Sequence, residues 1–245
     1  MNIWKKTNIK KIKQNNIKSD SFNNEIWEKK ISNKIKTNLV TQKKKYSKYF
    51  LTSSPLPLIL LSFSKKNVRI ADYGSGDQEI LFQLLNHKIK NKKIIIDSVE
   101  VSIITNLLKN KLKKNIDKNI QINFLETFNH NEKYDFVHIS DSLQYNLDWK
   151  MFLKNIIKKK PKYIILNNLT CGNFKTYITE QKFYDNKLPY IFFNEKEILN
   201  CFKGYKSYKY LFLNKINNKY QIYPQKNFKQ NERIGYPKTI ILIKN

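Results

Sequence analysis

The chain has little glycine, proline or cysteine. Its 245 residues include 5 Gly, 6 Pro and 2 Cys, which excludes a collagen-like chain and a disulfide-stapled mini-protein. No run of about 18 apolar residues occurs, and no uninterrupted apolar stretch follows the basic start. The sequence therefore predicts neither a transmembrane helix nor a secretory signal. We expect Cys171 and Cys201 to be reduced thiols in a cytoplasmic protein.

Arginine and alanine are also scarce, with 2 and 1 residues, whereas Lys numbers 45 and Asn 32. The net charge is +28. Surfaces that bind phosphate usually use arginine, because its planar fork grips phosphate with two hydrogen bonds. This composition is typical of AT-rich codons, so we interpret the charge mainly as coding bias. A polyanion or membrane-surface partner is the alternative.

The sequence divides into three parts, and its hydrophobic content of 40% is sufficient for a globular core. Residues 1–20 are polar and lysine-rich, and they predict a loose basic tail. Residues 21–66 predict a helical extension, and the first 66 residues carry 16 Lys against 3 acids. Residues 67–245 predict one folded domain.

The extension contains a helix-start signal. Ser21 or Asn23 is predicted to cap the helix, with Glu25 and Glu28 in its first turns. Apolar residues then recur at roughly helical spacing as far as Leu39.

From residue 68 onward, short apolar runs alternate with amphipathic stretches. The predicted strands are 68–73, 94–99, 120–125, 135–139 and 163–166, and the predicted helices are 79–87, 102–114 and 149–158. This alternation predicts an α/β fold with a doubly wound, mostly parallel sheet in the order 3-2-1-4-5. Further strands at 208–213, 219–223 and 239–243 predict an antiparallel edge, after a helix at 195–202 that Gly204 closes.

Two glycines follow the first strand of this domain. Gly74 and Gly76 allow a tight turn and let a ligand lie against bare backbone where the next helix begins. A dinucleotide fingerprint would have a third glycine at position 79, where this chain has Glu79. Asp77 and Glu79 would repel a pyrophosphate, whereas Asp72 suits a cationic ligand. An ordinary strand-to-helix turn is the alternative.

Glu100 follows the second strand, 26 residues after Gly74. A carboxylate there can accept both hydroxyls of a ribose. The alternative is that Glu100 only caps the helix that begins at Ser102.

Together, Asp72, Gly74, Gly76 and Glu100 resemble the S-adenosylmethionine site of class I methyltransferases. The segment Ser140-Asp141-Ser142-Leu143-Gln144-Tyr145 contains Leu-Gln-Tyr and resembles a Ser-x-Leu-Gln-Tyr signature, with Asp141 at the place of its serine. The supporting features, in chain order, are Trp27, Asp148, Pro161–Leu166, Thr170, Gln181, Pro189–Phe193 and Gly204–Tyr205. The sequence is thus similar to a family of bacterial methyltransferases with this signature, whose genes lie among those for surface-polysaccharide biosynthesis.

The resemblance implies a Rossmann-like fold and S-adenosylmethionine as the cofactor. The family's loop is richer in glycine, like D-x-G-G-G-x-G, and here Ser75 and Gln78 replace two of the glycines. The side chain of Gln78 could crowd the methionine part of the cofactor or form a hydrogen bond to it.

Further candidates follow later strands. Glu126 follows the third strand, where such enzymes often place a polar residue near the adenine; a solvent-facing loop acid is the alternative. Ser140 and Asp141 follow the fourth strand, where such enzymes build the reaction centre. Asp141 is the first choice for a general base and His138 the second, although a satisfied core histidine is the common alternative. The spacing of His87 and His130 predicts no metal site.

The function indicated is methyl transfer to a glycan or to a nucleotide- or lipid-linked sugar precursor. The sugar acceptor is implied by the family resemblance alone. An RNA methyltransferase, suggested by the charge, and a non-catalytic protein with the same fold, suggested by Gln78, are the alternatives. Residues 170–190, rich in aromatics and amides, are expected to bind the acceptor. The oligomeric state stays open.

Overall fold

The computed structural model describes residues 4–14, 22–43, 54–87, 89, 91–112, 115–129, 131–184, 186–210, 227–234 and 237–245. The helices are α1 (Ile9–Gln14), α2 (Glu25–Lys43), α3 (Leu56–Ser62), α4 (Glu79–His87), α5 (Ser102–Lys111), α6 (Trp149–Lys158) and α7 (Glu195–Asn200). The strands are β1 (Trp4–Thr7), β2 (Asn67–Tyr73), β3 (Lys93–Val99), β4 (Asn115–Asp117), β5 (Ile120–Leu125), β6 (Phe136–Ser140), β7 (Tyr163–Leu169), β8 (Cys171–Gly172), β9 (Tyr177–Phe183), β10 (Asn186–Asn194), β11 (Tyr205–Tyr210) and β12 (Lys238–Lys244).

The chain forms two compact units. The first unit consists of Phe22–Ser140 and Lys160–Ile165, and the second of Met1–Ser21, Asp141–Lys159 and Leu166–Asn245. Strand β7 therefore contributes its first three residues to the first unit and its last four to the second.

The sheet of the first unit has the strand order β7-β6-β2-β3-β5-β4. The pairs β2–β3, β2–β6 and β3–β5 are parallel. This arrangement confirms the predicted doubly wound, Rossmann-like sheet and its order 3-2-1-4-5. Strand β4 pairs antiparallel with β5 at the edge and was not predicted, because three residues are too few to show a strand pattern.

The core of the first unit includes the predicted helical extension. Ile31 and Ile35 of α2 and Leu56 and Leu60 of α3 are fully buried, in one cluster with the apolar residues of β2 and β3. Strand β3 is buried along most of its length, as expected for a parallel strand covered on both faces. The extension thus has no separate core within the described residues.

Helix α2 is capped by a residue that the sequence analysis missed. The side chain of Asn24 accepts a hydrogen bond from the backbone N–H of Trp27 at 2.9 Å. The predicted cap Asn23 instead accepts from the backbone N–H of Ile103 at 3.0 Å and from the hydroxyl of Ser102 at 3.2 Å. Asn23 therefore caps α5, whose own N-cap residue supplies no side-chain bond. Ser21 lies outside the described residues.

The second unit contains a four-stranded sheet, β1-β9-β10-β8, that the sequence did not predict. Strand β1 pairs antiparallel with β9, with Trp4 opposite Gln181. Residues 4–14 are thus not the loose tail expected from their lysines. Strand β1 is held by β9, which lies more than 170 residues further along the chain, and no local sequence pattern indicates that pairing.

The predicted antiparallel edge is confirmed in the second unit. β11 pairs antiparallel with β12, and the strand order there is β11-β12-β7. Gly204 has the predicted left-handed conformation after α7, with φ +88°. The predicted strand at 219–223 lies outside the described residues.

Most of the aromatics expected to bind an acceptor pack on one another. Tyr177 stacks on Phe192 with ring centroids 5.0 Å apart, and Tyr190 contacts the edge of Tyr145 at 5.1 Å. Trp4 completes this cluster.

Within the described residues, no helix is long and apolar enough to span a bilayer.

Candidate functional site

The turn between β2 and α4 has an unusual backbone. Gly74, Gly76 and Gln78 all have left-handed conformations, with φ of +68°, +46° and +63°. Such a conformation is easy for glycine and costs another residue about 1–2 kcal/mol. Gln78 therefore occupies a position that favours glycine, which agrees with the glycine expected there from the family resemblance.

The side chain of Gln78 is fully buried and bonded inside the protein. Its amide nitrogen donates to the hydroxyls of Ser75 at 2.8 Å and Ser98 at 2.9 Å, and these two hydroxyls lie 2.6 Å apart. These bonds tie the turn to β3 and offset part of the backbone strain. The amide oxygen of Gln78 is buried and has no hydrogen-bond partner among the described residues.

Glu100 is hydrogen-bonded to the same turn. One carboxylate oxygen accepts from the backbone N–H of Gly76 at 2.6 Å, and the other accepts from the backbone N–H of Val101 at 3.1 Å. Burial raises the pKa of Glu100 from its ordinary 4.5 to about 7. The two backbone bonds lower this pKa, whereas the negative charges of Asp72 and Asp77 raise it further.

Asp72 is buried at the end of β2 and bonded to a histidine. Its Oδ1 lies 2.8 Å from Nδ1 of His138 in the neighbouring strand β6, where the register places the two residues side by side. Nε2 of His138 lies 3.1 Å from the hydroxyl of Ser54. Sequence reasoning missed Ser54, because nothing local connects it to a residue 84 positions away.

Helix α2 lies against the glycine turn. Lys34 forms an ion pair with Asp77 at 3.1 Å, and the amide of Asn38 donates to the carbonyl of Asp77 at 3.2 Å. A Cβ placed on Gly76 would lie 3.6 Å from the side chain of Ile31. The predicted extension thus supplies one wall of the candidate site.

Other predicted residues lie at the same edge of the sheet. Glu126 directly follows β5, is exposed, and has no side-chain partner among the described residues. Ser140 is the half-buried last residue of β6. The parallel strands β2, β3, β5 and β6 therefore end with most of the predicted cofactor residues at one edge, where open α/β sheets bind ligands.

Asp141 belongs to the second unit and is held by two amides. Its carboxylate accepts from Nδ2 of Asn168 at 3.0 Å and from the amide of Gln144 at 3.4 Å. Asp141 and Asn168 both have left-handed backbones, with φ of +49° and +52°. Strain of this kind in residues other than glycine is concentrated at functional sites. The Leu-Gln-Tyr signature forms a single 3₁₀ turn, Leu143–Tyr145, whose glutamine is one of the two amides.

The chemistry of the first-unit site favours a cationic nucleoside. The turn is surrounded by the carboxylates of Asp72, Asp77 and Glu100, and we call these three residues the acidic glycine loop. Coulomb repulsion from these carboxylates disfavours a diphosphate there. The same carboxylates fit a ligand that carries positive charge. The described residues contain no group of three His, Cys, Asp or Glu side chains that could hold a metal ion.

The fold resembles that of solved methyltransferases. An S-adenosylmethionine-dependent methyltransferase from Clostridium acetobutylicum is 12% identical, with a TM-score of 0.46, over 82% of this chain and 92% of its own. A Listeria monocytogenes protein assigned to the same class is 11% identical, with a TM-score of 0.49, over 86% and 98%. A structure of PigF with SAH is 13% identical, with a TM-score of 0.47, over 96% and 68%.

No family model matches the sequence, and no curated protein matches it. At identities of 11–13% the structural similarities do not decide function, which depends on the residues of the site.

The raised pKa of Glu100 gives a testable dependence of stability on pH. Between pH 4.5 and about 7 the native state binds more protons at Glu100 than the unfolded chain does. This group therefore lowers the free energy of unfolding as pH rises through that window, by up to about 3 kcal/mol. Urea unfolding should show Glu100→Gln gaining stability over the parent between pH 5 and pH 8.

The matched control is Glu126→Gln, which removes an exposed carboxylate at the end of the neighbouring strand. The gain in stability between pH 5 and pH 8 should be specific to Glu100→Gln. If Glu100→Gln also follows the parent at every pH, the ionised form of Glu100 is not disfavoured in the folded state.

Proposed function

We propose that this chain is an S-adenosylmethionine-dependent methyltransferase whose acceptor is a sugar hydroxyl, on a glycan or on a nucleotide- or lipid-linked sugar precursor. The observation that carries the cofactor assignment is the acidic glycine loop. Its turn has no side chains at Gly74 and Gly76, and three carboxylates lie around it. The sugar acceptor is supported by the resemblance of the segment Ser140–Tyr145 to the signature of that methyltransferase family.

In this proposal, each residue at the ends of the strands binds a different part of the cofactor. Glu100 accepts hydrogen bonds from the ribose hydroxyls, and Asp72 accepts the ammonium group at its second oxygen. Glu126 and Ser140 line the adenine and methionine sides. The amide oxygen of Gln78 is buried inside the turn, so Gln78 is not assigned a hydrogen bond to the cofactor. Deprotonated Glu100 is the better acceptor for two hydroxyls, so affinity should rise with pH through about 7.

When bound, this cofactor supplies an electrophilic methyl group on sulfur, and the C–S electron pair stays with the sulfur on transfer. The protein has to hold the acceptor oxygen in line and take its proton. We assign the proton to the exposed carboxylate of Asp141. Hydrogen bonds from Asn168 and Gln144 fix the orientation of that carboxylate.

Transfer of labelled methyl groups tests the acceptor class. The full chain is incubated with methyl-labelled S-adenosylmethionine and separate pools of nucleotide-linked sugars, lipid-linked sugars and RNA. We expect label in a sugar pool, and mass spectrometry then locates the methylated oxygen. Label in RNA alone would establish the RNA alternative. Cofactor binding without transfer to any pool would favour the non-catalytic alternative.

One observation bears on RNA. A cavity of about 480 Å³ lies at the amino ends of β2, β3 and β5, opposite the edge with the glycine loop. Its charged lining residues are Lys65, Arg69, Lys93, Lys118 and Lys133 against Asp117 and Asp135. In the first unit, this positive charge therefore lies away from the acidic glycine loop, which does not favour a polyanionic acceptor.

The non-catalytic alternative depends on Gln78, and Gln78→Gly tests it. The substitution relieves a left-handed backbone at a cost of two hydrogen bonds, so the free energy of unfolding should change by less than about 1 kcal/mol. Because the amide is already bonded to Ser75 and Ser98, affinity for S-adenosylmethionine should stay within about threefold of the parent. A variant that binds more than tenfold tighter would show that Gln78 obstructs the site.

A further inference from the structure

A hydrogen-bonded chain of three buried side chains joins the glycine loop to the segment before α3. Oδ1 of Asp72 lies 2.8 Å from Nδ1 of His138, and Nε2 of the same ring lies 3.1 Å from the hydroxyl of Ser54. All three residues are at most 3% exposed. They come from β2, β6 and the residue two before Leu56, the first residue of α3.

The hydrogen-bond partners indicate which atoms of Asp72, His138 and Ser54 carry a proton. An ionised carboxylate only accepts, so Nδ1 of His138 carries a proton and donates to Asp72. The hydroxyl oxygen of Ser54 already accepts from the backbone N–H of Leu56 at 3.3 Å. Its own O–H is therefore available to donate to Nε2, and this fixes one tautomer of a neutral imidazole.

The three hydrogen-bonded side chains have the order Ser–His–Asp of a hydrolytic triad, but their burial excludes hydrolytic chemistry. Ser54 is 3% exposed and its oxygen is engaged by the backbone of α3. Nucleophilic attack needs an exposed hydroxyl with oxyanion donors nearby. The unprotonated Nε2 of His138 is buried against Ser54, so it does not reach an external acceptor to take a proton.

We propose that His138 is a positioning residue that holds the carboxylate of Asp72 in the orientation needed for a cationic amino group of the ligand, with Ser54 fixing the tautomer of the ring. This inference rests on the proposed function, because the amino group is that of S-adenosylmethionine. Asp72 contacts the ligand; His138 and Ser54 act only through it.

Two substitutions of His138 separate its two contacts. In His138→Asn, the side-chain amide nitrogen matches the place of Nδ1 and keeps a donor for Asp72. In His138→Gln, the amide nitrogen matches the place of Nε2 and keeps a partner for Ser54, but the bond to Asp72 is lost. Both variants remove an imidazole from the same buried position, so each controls for the packing effect of the other.

Two probe ligands separate the amino-acid part of the cofactor from its nucleoside part. S-adenosylhomocysteine carries the ammonium group, and 5′-methylthioadenosine lacks it. Calorimetry should show that His138→Gln weakens S-adenosylhomocysteine about tenfold and leaves 5′-methylthioadenosine within twofold of the parent. His138→Asn should keep the parent's ratio of the two affinities within about threefold.

The outcomes distinguish the two proposals. If the parent binds neither ligand, the proposed function fails, and the positioning role fails with it. If the parent binds both and His138→Gln retains the parent's affinity ratio, the proposed function stands and the positioning role is wrong. A general folding defect in His138→Gln would weaken both ligands alike, which also contradicts the positioning role.

Imidazole NMR of the parent gives an independent test that needs no ligand. The chain has 3 His, at positions 87, 130 and 138, so the signals are few, and those of His138 disappear in either variant. We expect a protonated Nδ1 and a bare Nε2 at His138, with a shift of Nε2 in Ser54→Ala. A proton on Nε2 with a bare Nδ1 would overturn the assigned tautomer.

Discussion

Glu100→Ala is expected to weaken the binding of S-adenosylmethionine by roughly ten- to a hundredfold. Hydrogen bonds between an ionised carboxylate and hydroxyls contribute about 1.5–3 kcal/mol, and each 1.4 kcal/mol is a factor of ten in affinity. The loss should be largest above pH 7, where Glu100 of the parent is ionised. Isothermal titration calorimetry at pH 6 and pH 8 measures both effects.

Glu126→Ala is the matched control, because it removes the exposed carboxylate that follows the neighbouring strand β5. Its effect on affinity should be smaller than that of Glu100→Ala. Circular dichroism of Glu100→Ala should match the parent, since this carboxylate bonds to two backbone N–H groups without belonging to the apolar core. Parent-like affinity of Glu100→Ala at pH 8 would contradict the ribose assignment.

Asp72→Asn should weaken binding as well, and near pH 7 the loss in the double variant should exceed the sum of the two single losses. The charge of Asp72 raises the pKa of Glu100. In the single variant Asp72→Asn, Glu100 is therefore more fully ionised and binds the ribose better, which hides part of the loss at the ammonium group; this compensation is absent once Glu100 is also replaced. A double-mutant cycle in which both losses add in full would show that the two carboxylates act independently.

Asp141→Asn is expected to lower kcat at least about a hundredfold, because general-base catalysis contributes about 10²–10⁴-fold to proton transfer. An amide fills the same space and cannot take the acceptor's proton. Affinity for S-adenosylmethionine should stay within about threefold, since Asp141 is not assigned to the cofactor. The measurement is single-turnover methyl transfer to the acceptor found in the labelling experiment.

Asp148→Asn is the control for Asp141→Asn. Asp148 is an exposed acid seven residues further along the chain, and its side chain makes no cap hydrogen bond at α6. It should retain the activity of the parent. If Asp141→Asn is as active as Asp148→Asn, Asp141 is not the base.

The order of the parallel strands could be predicted because each strand and helix leaves a local pattern. Buried strands such as β3 are nearly continuous apolar runs, and right-handed crossovers allow few orders of such strands. The glycine turn could be located for the same reason, since Gly74 and Gly76 follow one strand and precede one helix. Local sequence patterns thus specify where the predicted cofactor residues lie along one edge of the sheet.

The contacts that shape the site could not be predicted, because they join distant parts of the chain. Nothing near Ser54 in the sequence indicates His138, and nothing near Asn23 indicates the start of α5. The two amides that hold Asp141 come from a short 3₁₀ turn and from a left-handed residue in β7. Strand β1 is polar and only four residues long, so composition alone suggests a tail.

The central claim is that the acidic glycine loop binds a cationic nucleoside. Its most direct test is calorimetry of the full chain at pH 8 with S-adenosylmethionine and, in parallel, with NAD⁺. We predict one S-adenosylmethionine bound per chain, weaker binding at pH 6, and no binding of NAD⁺, whose diphosphate meets Asp77 and Glu79. Binding of NAD⁺ without S-adenosylmethionine, or of neither ligand at millimolar concentration, would contradict the claim.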